Sequence, residues 1–106
     1  ARTLSLGELK RLELAMAQST RPDLLLVDEV LAGQSPSSAE DILRHLGRLR
    51  SRGVTICLVE HRLKALLAVA DRVVALHQGR IIADGEPEVV MKSPAVLDAY
   101  LGEPAT

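Results

Sequence analysis

Aromatic side chains are nearly missing from this chain: 106 residues hold one Tyr, no Phe and no Trp. Its core must therefore be aliphatic, built from Leu, Val, Ile and Ala, within an apolar content of 47%. The single cysteine, Cys57, excludes an internal disulfide. It lies within the apolar run 54–59 and reads as a buried thiol suited to a reducing, cytosolic compartment. No apolar stretch approaches the roughly 20 residues that a membrane-spanning helix needs, so direct insertion into a bilayer is not expected. No secretory signal is visible. Formal net charge is -1, which supplies no footprint for nucleic acid or an anionic membrane.

What is present reads as one ordinary globular unit spanning residues 1–106, with 25% charged residues and enough length for a modest core. The sequence opens Ala1-Arg2-Thr3 and reaches a candidate working loop within a few residues. That opening predicts a portion of a larger domain.

The punctuation predicts alternating elements. Ser5 and Glu8 have capping-box spacing ahead of Leu9, Leu12 and Met16, predicting a helix from about Glu8 to Ser19. Leu24 to Val27 is a continuous apolar run closed by Asp28-Glu29, which predicts a strand buried on both faces. A loop of small residues, 32–38, precedes a helix from about Ser37 to Arg52, with Ile42, Leu43, Leu46 and Leu49 on one face. Glu40 and Asp41 are expected in its first turn, and Gly53 is its expected stop. Val54 to Val59 predicts a second buried strand, closed by Glu60-His61, and Arg62 to Ala70 a short helix. Arg72 to His77 and Arg80 to Ala83 predict a hairpin turning at Gln78-Gly79. Two short helices close the chain, near 88–92 and 94–101, with Ser93-Pro94 as cap and first-turn pair. Alternation of this kind predicts an α/β fold with a mainly parallel sheet.

Such sheets place ligands at the carboxyl ends of their strands, where both Asp28-Glu29 and Glu60-His61 fall. Two carboxylates on a rigid strand tip can divide work, one holding Mg²⁺ and the next orienting or deprotonating water. They also suit a strand that simply meets solvent there. A neighbouring parallel strand would bring His61 near Glu29, where an imidazole could bind a phosphate oxygen or a water. Taken alone, His61 better suits a surface or otherwise satisfied histidine. Leu4-Ser5-Leu6-Gly7-Glu8 puts a hydroxyl and a glycine at a helix start, an arrangement able to hold an anion. Ser5 also reads as no more than a cap.

Taken in order, Leu4 to Glu8, the helix with Lys10-Arg11-Leu12, Leu24 to Glu29, Ala32-Gly33-Gln34-Ser35 and Val59-Glu60-His61 resemble the ABC ATPase family. They parallel its signature loop, Walker B strand, D-loop and H-switch. The stretches 70–85, Pro87 to Val90 and Leu97 to Gly102 resemble the ATPases of branched-chain amino acid importers. The resemblance implies a P-loop NTPase-type layered fold, with a C-terminal hairpin and short helices. It implies that Ser5 and Gly7, with Glu8, face the γ-phosphate of ATP held by a partner subunit. It further implies Asp28 as the Mg²⁺ residue acting through water, Glu29 as general base or water-orienting group, and His61 as a γ-phosphate contact that stabilises the transition state. Ala32, Gly33, Gln34 and Ser35 would cross a head-to-tail dimer interface. Membrane permease subunits are the implied partners, at the cytoplasmic face of the membrane.

The sequence departs from the family pattern in places. Leu6 stands where the signature has a glycine, Val30 replaces the usual proline, and Ser35 stands where relatives carry Asp or Asn. No G-x-x-x-x-G-K-[ST] loop occurs in these residues, so the phosphate-wrapping part of the fold is not among them. The chain alone is therefore expected to be inactive as an ATPase. An alternative expectation is a half-domain that dimerises or regulates an intact ATPase without catalysis. A DNA-repair or chromosome-structure ATPase is disfavoured by the absence of coiled-coil heptads.

Overall fold

The computed structural model describes residues 4–101. Ala1–Thr3 and residues 102–106, including the opening and the last part of the importer-like ending, lie outside them. The chain divides after His61 into two compact units.

The first unit runs α1 (Leu6–Gln18), β1 (Leu24–Asp28), α2 (Pro36–Ser51) and β2 (Thr55–Val59). α1 starts where the capping box demands. Ser5 Oγ accepts from the Glu8 N–H at 3.1 Å, and Glu8 Oε1 accepts from the Ser5 N–H at 3.2 Å. The box fixes the start at Leu6, two residues earlier than the sequence pattern predicts. α2 also starts early. Ser35 is its cap, accepting from the Ser38 N–H at 3.2 Å, and Pro36 occupies the first turn. Glu40 and Asp41 consequently fall beyond the first turn, contrary to expectation. Ala39, Ile42, Leu46 and Leu49 form the buried stripe of α2, at the spacing a helix requires. Gly53, at φ +96°, follows its end as expected.

β1 and β2 pair in parallel, Leu24 opposite Thr55 through Asp28 opposite Val59. Burial corrects the expectation of doubly buried strands. β1 alternates: Leu25 and Val27 are buried, whereas Leu24 and Leu26 are 53% and 72% exposed. A strand sends successive side chains to opposite faces, and no described residue covers the second face. Cys57 lies on β2 at an exposed position and is not the buried thiol expected. On α1, likewise, only Leu14 is buried, while Leu9, Leu12 and Met16 are exposed. Leu14 lines a hollow together with Lys10, Glu13 and Ala17 of α1 and with Leu25 and Val27 of β1.

The second unit runs α3 (Leu63–Val69), β3 (Val73–His77), β4 (Arg80–Gly85), α4 (Pro87–Met91) and α5 (Pro94–Leu101). β3 and β4 form the expected antiparallel hairpin, joined by Gln78 at φ 49° and Gly79 at φ 76°. Two successive positive φ values are what a two-residue turn matching strand twist requires. The Arg72 guanidinium clasps Asp84 through two bonds of 2.7 and 2.6 Å. That pairing holds the Asp84 carboxyl below its ordinary value. Ala75, Val90 and Val96 make the local core, with Val73, Ile82 and Ala83 packed against it. Among the described residues no helix is long and apolar enough to cross a membrane.

Candidate functional site

The carboxyl ends of β1 and β2 carry the acidic and histidine candidates. Asp28 is the last residue of β1 and is exposed. The ladder continues one step beyond it, because the Glu29 N–H donates to the Val59 carbonyl at 2.8 Å. Glu29 then turns into the left-handed region, φ 48°. For a residue with a β-carbon this costs roughly 1–2 kcal/mol. Its carbonyl accepts from the Ala32 N–H at 3.2 Å, and the buried Val30 and Leu31 pin the following turn. The strained residue is thus held from both sides.

His61 follows β2 by two residues, and parallel pairing brings it to Glu29. His61 Nδ1 lies 3.4 Å from Glu29 Oε1, with both side chains more than half exposed. In the sequence, Glu60 stands out only as the neighbour of His61. Its side chain is fully buried, and its Oε1 accepts from the His61 N–H at 3.0 Å. It sits 3.6 Å from His61 Nδ1 as well. No sequence signal marks this, because which way a strand-end side chain turns is set by packing. His45, to which the sequence assigns no role, meets the Gln18 side chain and takes no part in the site.

A second group gathers at the starts of α1 and α2. Ser5, Leu6 and Gly7 line a cavity of about 400 Å³ together with Gly33, Gln34 and Ser35. Ser5 and Glu8 are engaged with each other, which keeps the Glu8 carboxyl below its ordinary value, first through the Ser5 N–H and then through its hydroxyl. The N–H groups of Leu6 and Gly7 remain at the open helix start. Gln34 is 8% exposed, and its Oε1 accepts from the Ser38 hydroxyl at 2.8 Å. Its Nε2 has no hydrogen-bond partner among the described residues. Leaving such a donor unmatched costs about 1–3 kcal/mol. The structure therefore brings Glu29 to His61, and Ser5 and Gly7 to Gly33, Gln34 and Ser35, with Glu8 bonded to Ser5. It does not bring Asp28 to that pair: Asp28 lines a hollow with Lys10, Glu13 and Leu14 of α1.

The chemistry of these groups suits a metal-bound phosphate. Mg²⁺ is a hard cation that takes one or two carboxylates and completes its shell with water and substrate phosphates. Asp28 offers one such carboxylate at a rigid strand tip. Among the described residues there is no group of three or more His, Cys, Asp or Glu able to cage an ion without a substrate.

Known proteins resemble this chain in sequence and in fold. Residues 80–106 match the branched-chain amino acid ATP-binding cassette transporter family. The chain is 41% identical, over 97% of its length, to the high-affinity branched-chain amino acid transport ATP-binding protein BraF of Pseudomonas aeruginosa. It is 36% identical over the same share to LivG of Escherichia coli, which carries the same description. A crystal structure of a nucleotide-free ATP-binding cassette from an ABC transporter superposes with a TM-score of 0.84, at 36% identity over 94% of this chain. In sequence and fold the chain is thus similar to the C-terminal part of ABC transporter ATP-binding cassettes. The match covers 41% of the BraF and LivG chains and 41% of that cassette's chain. A more distant cassette, cbiO1 of Clostridium perfringens, part of the cbiONQ transporter complex, aligns with a TM-score of 0.77 at 28% identity over 93% of this chain and 41% of its own. The α/β expectation, with its parallel pair, C-terminal hairpin and short helices, is the fold these cassettes share with the chain.

Proposed function

We propose that this chain supplies four working elements to the ATP-hydrolysing subunit of an ABC importer, one that serves amino acid uptake. The observation that carries the reading is the meeting of Glu29 and His61 at 3.4 Å on the ends of paired parallel strands. Glu29 stands ready to orient or deprotonate a water, a role worth about 10²–10⁴-fold in rate. His61 has a ring nitrogen for the phosphate oxygen that gains charge. Asp28 would hold Mg²⁺ through water, and Mg²⁺ when bound neutralises charge on the transferred phosphoryl group. Ser5, Gly7 and Glu8 present the start of α1 to a phosphate held by the partner subunit, and Ala32 to Ser35 lie along that head-to-tail interface. The amino acid assignment follows BraF and LivG, whose names give branched-chain amino acid transport. Permease subunits would bind the assembled pair at the cytoplasmic face.

Reading the coding DNA immediately before Ala1 tests this. An in-frame stretch carrying G-x-x-x-x-G-K-[ST] is expected. A start codon directly before Ala1, behind a stop, overturns it.

One observation favours a second reading, a half-domain that acts on an intact ATPase without turning over itself. The wall formed by Ser5, Gly7 and residues 33–35 is complete within the first unit and uses no phosphate loop. Mixing the chain with an intact cassette should then change that cassette's ATPase rate saturably. An unchanged rate at saturation removes this reading.

A further inference from the structure

We propose that Glu60 is a positioning residue for His61: its buried carboxyl fixes the main chain at His61 and keeps a proton on His61 Nδ1, which makes Nε2 the ring nitrogen offered to a ligand. What this means for phosphate rests on the function proposed above; the tautomer does not.

Alternation along β2 puts Ile56 and Leu58 on its better-covered face, and Glu60 continues that series. The Glu60 side chain is fully buried, while those of Glu29 and His61 are 55% and 66% exposed. A buried side chain has given up its other rotamers, so Glu60 is the fixed member of the three. Burial of a carboxyl costs stability unless hydrogen bonds are returned. Here Glu60 Oε1 accepts from the His61 N–H at 3.0 Å. That bond holds the peptide leading into His61 at the end of β2.

The same oxygen lies 3.6 Å from His61 Nδ1, and Glu29 Oε1 lies 3.4 Å from it. Both separations exceed a direct hydrogen bond of good geometry, so the influence on the ring is electrostatic. A bare Nδ1 would turn its lone pair toward two electron-rich oxygens, whereas an N–H turns a positive hydrogen toward them. The neutral ring is therefore the Nδ1–H tautomer, with Nε2 bare. A phosphate oxygen needs a donor at Nε2. The ring makes that contact after taking a second proton from solvent, and its charge then faces Glu29 and Glu60. Glu29 is free to turn away in solvent, and Glu60 is not.

NMR of the ring nitrogens on the full chain, in alkaline solution where imidazoles are neutral, tests the assignment. Signals lost in His61→Ala identify the ring. In the unmodified chain Nδ1 should give the protonated signal and Nε2 the bare one. The reverse pattern overturns the inference without any further variant. Glu60→Met is similar in length, apolar and without an oxygen acceptor. It should move the ring proton to Nε2 in most molecules and speed His61 amide exchange about tenfold, with the β1–β2 ladder amides unchanged. Glu60→Gln keeps an acceptor oxygen and should retain the Nδ1–H pattern and the slow His61 amide. A ring pattern that Glu60→Met leaves in place overturns the role of Glu60. Should Glu60→Met fail to fold, Glu29→Ala decides: the Nδ1–H pattern must survive there, and its loss overturns Glu60 as the holder.

Turnover tests the consequence for the reaction. In an assembled cassette dimer bearing this sequence, Glu60→Met should lower kcat about tenfold with nucleotide affinity retained, the low end for a partner that orients a histidine. Glu60→Gln should restore it. Unchanged kcat in Glu60→Met, with the ring proton moved, overturns positioning for the reaction. Turnover that depends on neither Glu29 nor His61 overturns the function proposed above, and the ring-nitrogen pattern alone then decides the tautomer.

Discussion

Glu29 Oε1 and His61 Nδ1 lie 3.4 Å apart although 32 positions separate them in sequence. Two local features close that distance. The parallel register sets Asp28 opposite Val59, and the Glu29 N–H then bonds the Val59 carbonyl at 2.8 Å. Glu29 itself turns into the left-handed region, φ 48°, where the chain leaves β1.

If that pair carries chemistry, its two members should fail differently from residues that only bind. In an assembled cassette dimer bearing this sequence, Glu29→Gln should lower ATP turnover by about a hundredfold or more, within the range of general base catalysis. His61→Ala should also cut turnover. Nucleotide affinity, measured by equilibrium binding, should stay near that of the unmodified protein in both. Turnover that survives Glu29→Gln removes the carboxylate from the reaction.

The capping box makes a separate prediction about pH. Ser5→Ala should cost about 1 kcal/mol in urea unfolding, as the loss of an N-cap hydroxyl does. Glu8 has its carboxyl depressed in the folded chain, so its contribution is present above the ordinary glutamate value and is lost as pH falls through the folded one. Unfolding midpoints of the unmodified chain and Glu8→Ala should therefore differ near neutrality and converge in acid, below the ordinary carboxylate range. A gap that stays constant into acid would show that the box is not maintained by the ionised form.

Cys57 gives a test of the open sheet face. Its side chain is exposed on β2, beside Leu26 of β1 in the parallel register. A maleimide or aromatic disulfide reagent should modify it without denaturant, at a rate close to that of a small peptide thiol. Protection until unfolding would mean that the face is covered in solution, for instance by a second copy of the chain.

Much of this is legible in the sequence because it depends on local rules. The Ser5–Glu8 spacing announces a helix start whatever lies around it, since both bonds are made within four residues. Gln78-Gly79 announces a tight hairpin because few residue pairs adopt two positive φ values. The order of Asp28-Glu29 and Glu60-His61 after two apolar runs puts the acidic and histidine candidates at strand ends. Burial is less legible. Leu24-Leu25-Leu26-Val27 looks equally apolar on both sides, and only tertiary packing decides that Leu25 and Val27 are covered while Leu26 is not.

The sequence by itself determined the elements, their order and the chemical types at their ends, because capping, turn chemistry and side-chain period act over a few residues. Tertiary structure alone decided which residues meet. Parallel pairing joined Glu29 to His61, and the docking of two helix starts set Gly7 beneath Gln34 and Ser38 and Gly33 beside Leu6. Such approaches depend on distances of a few ångströms between segments far apart in the chain, and no local propensity encodes them.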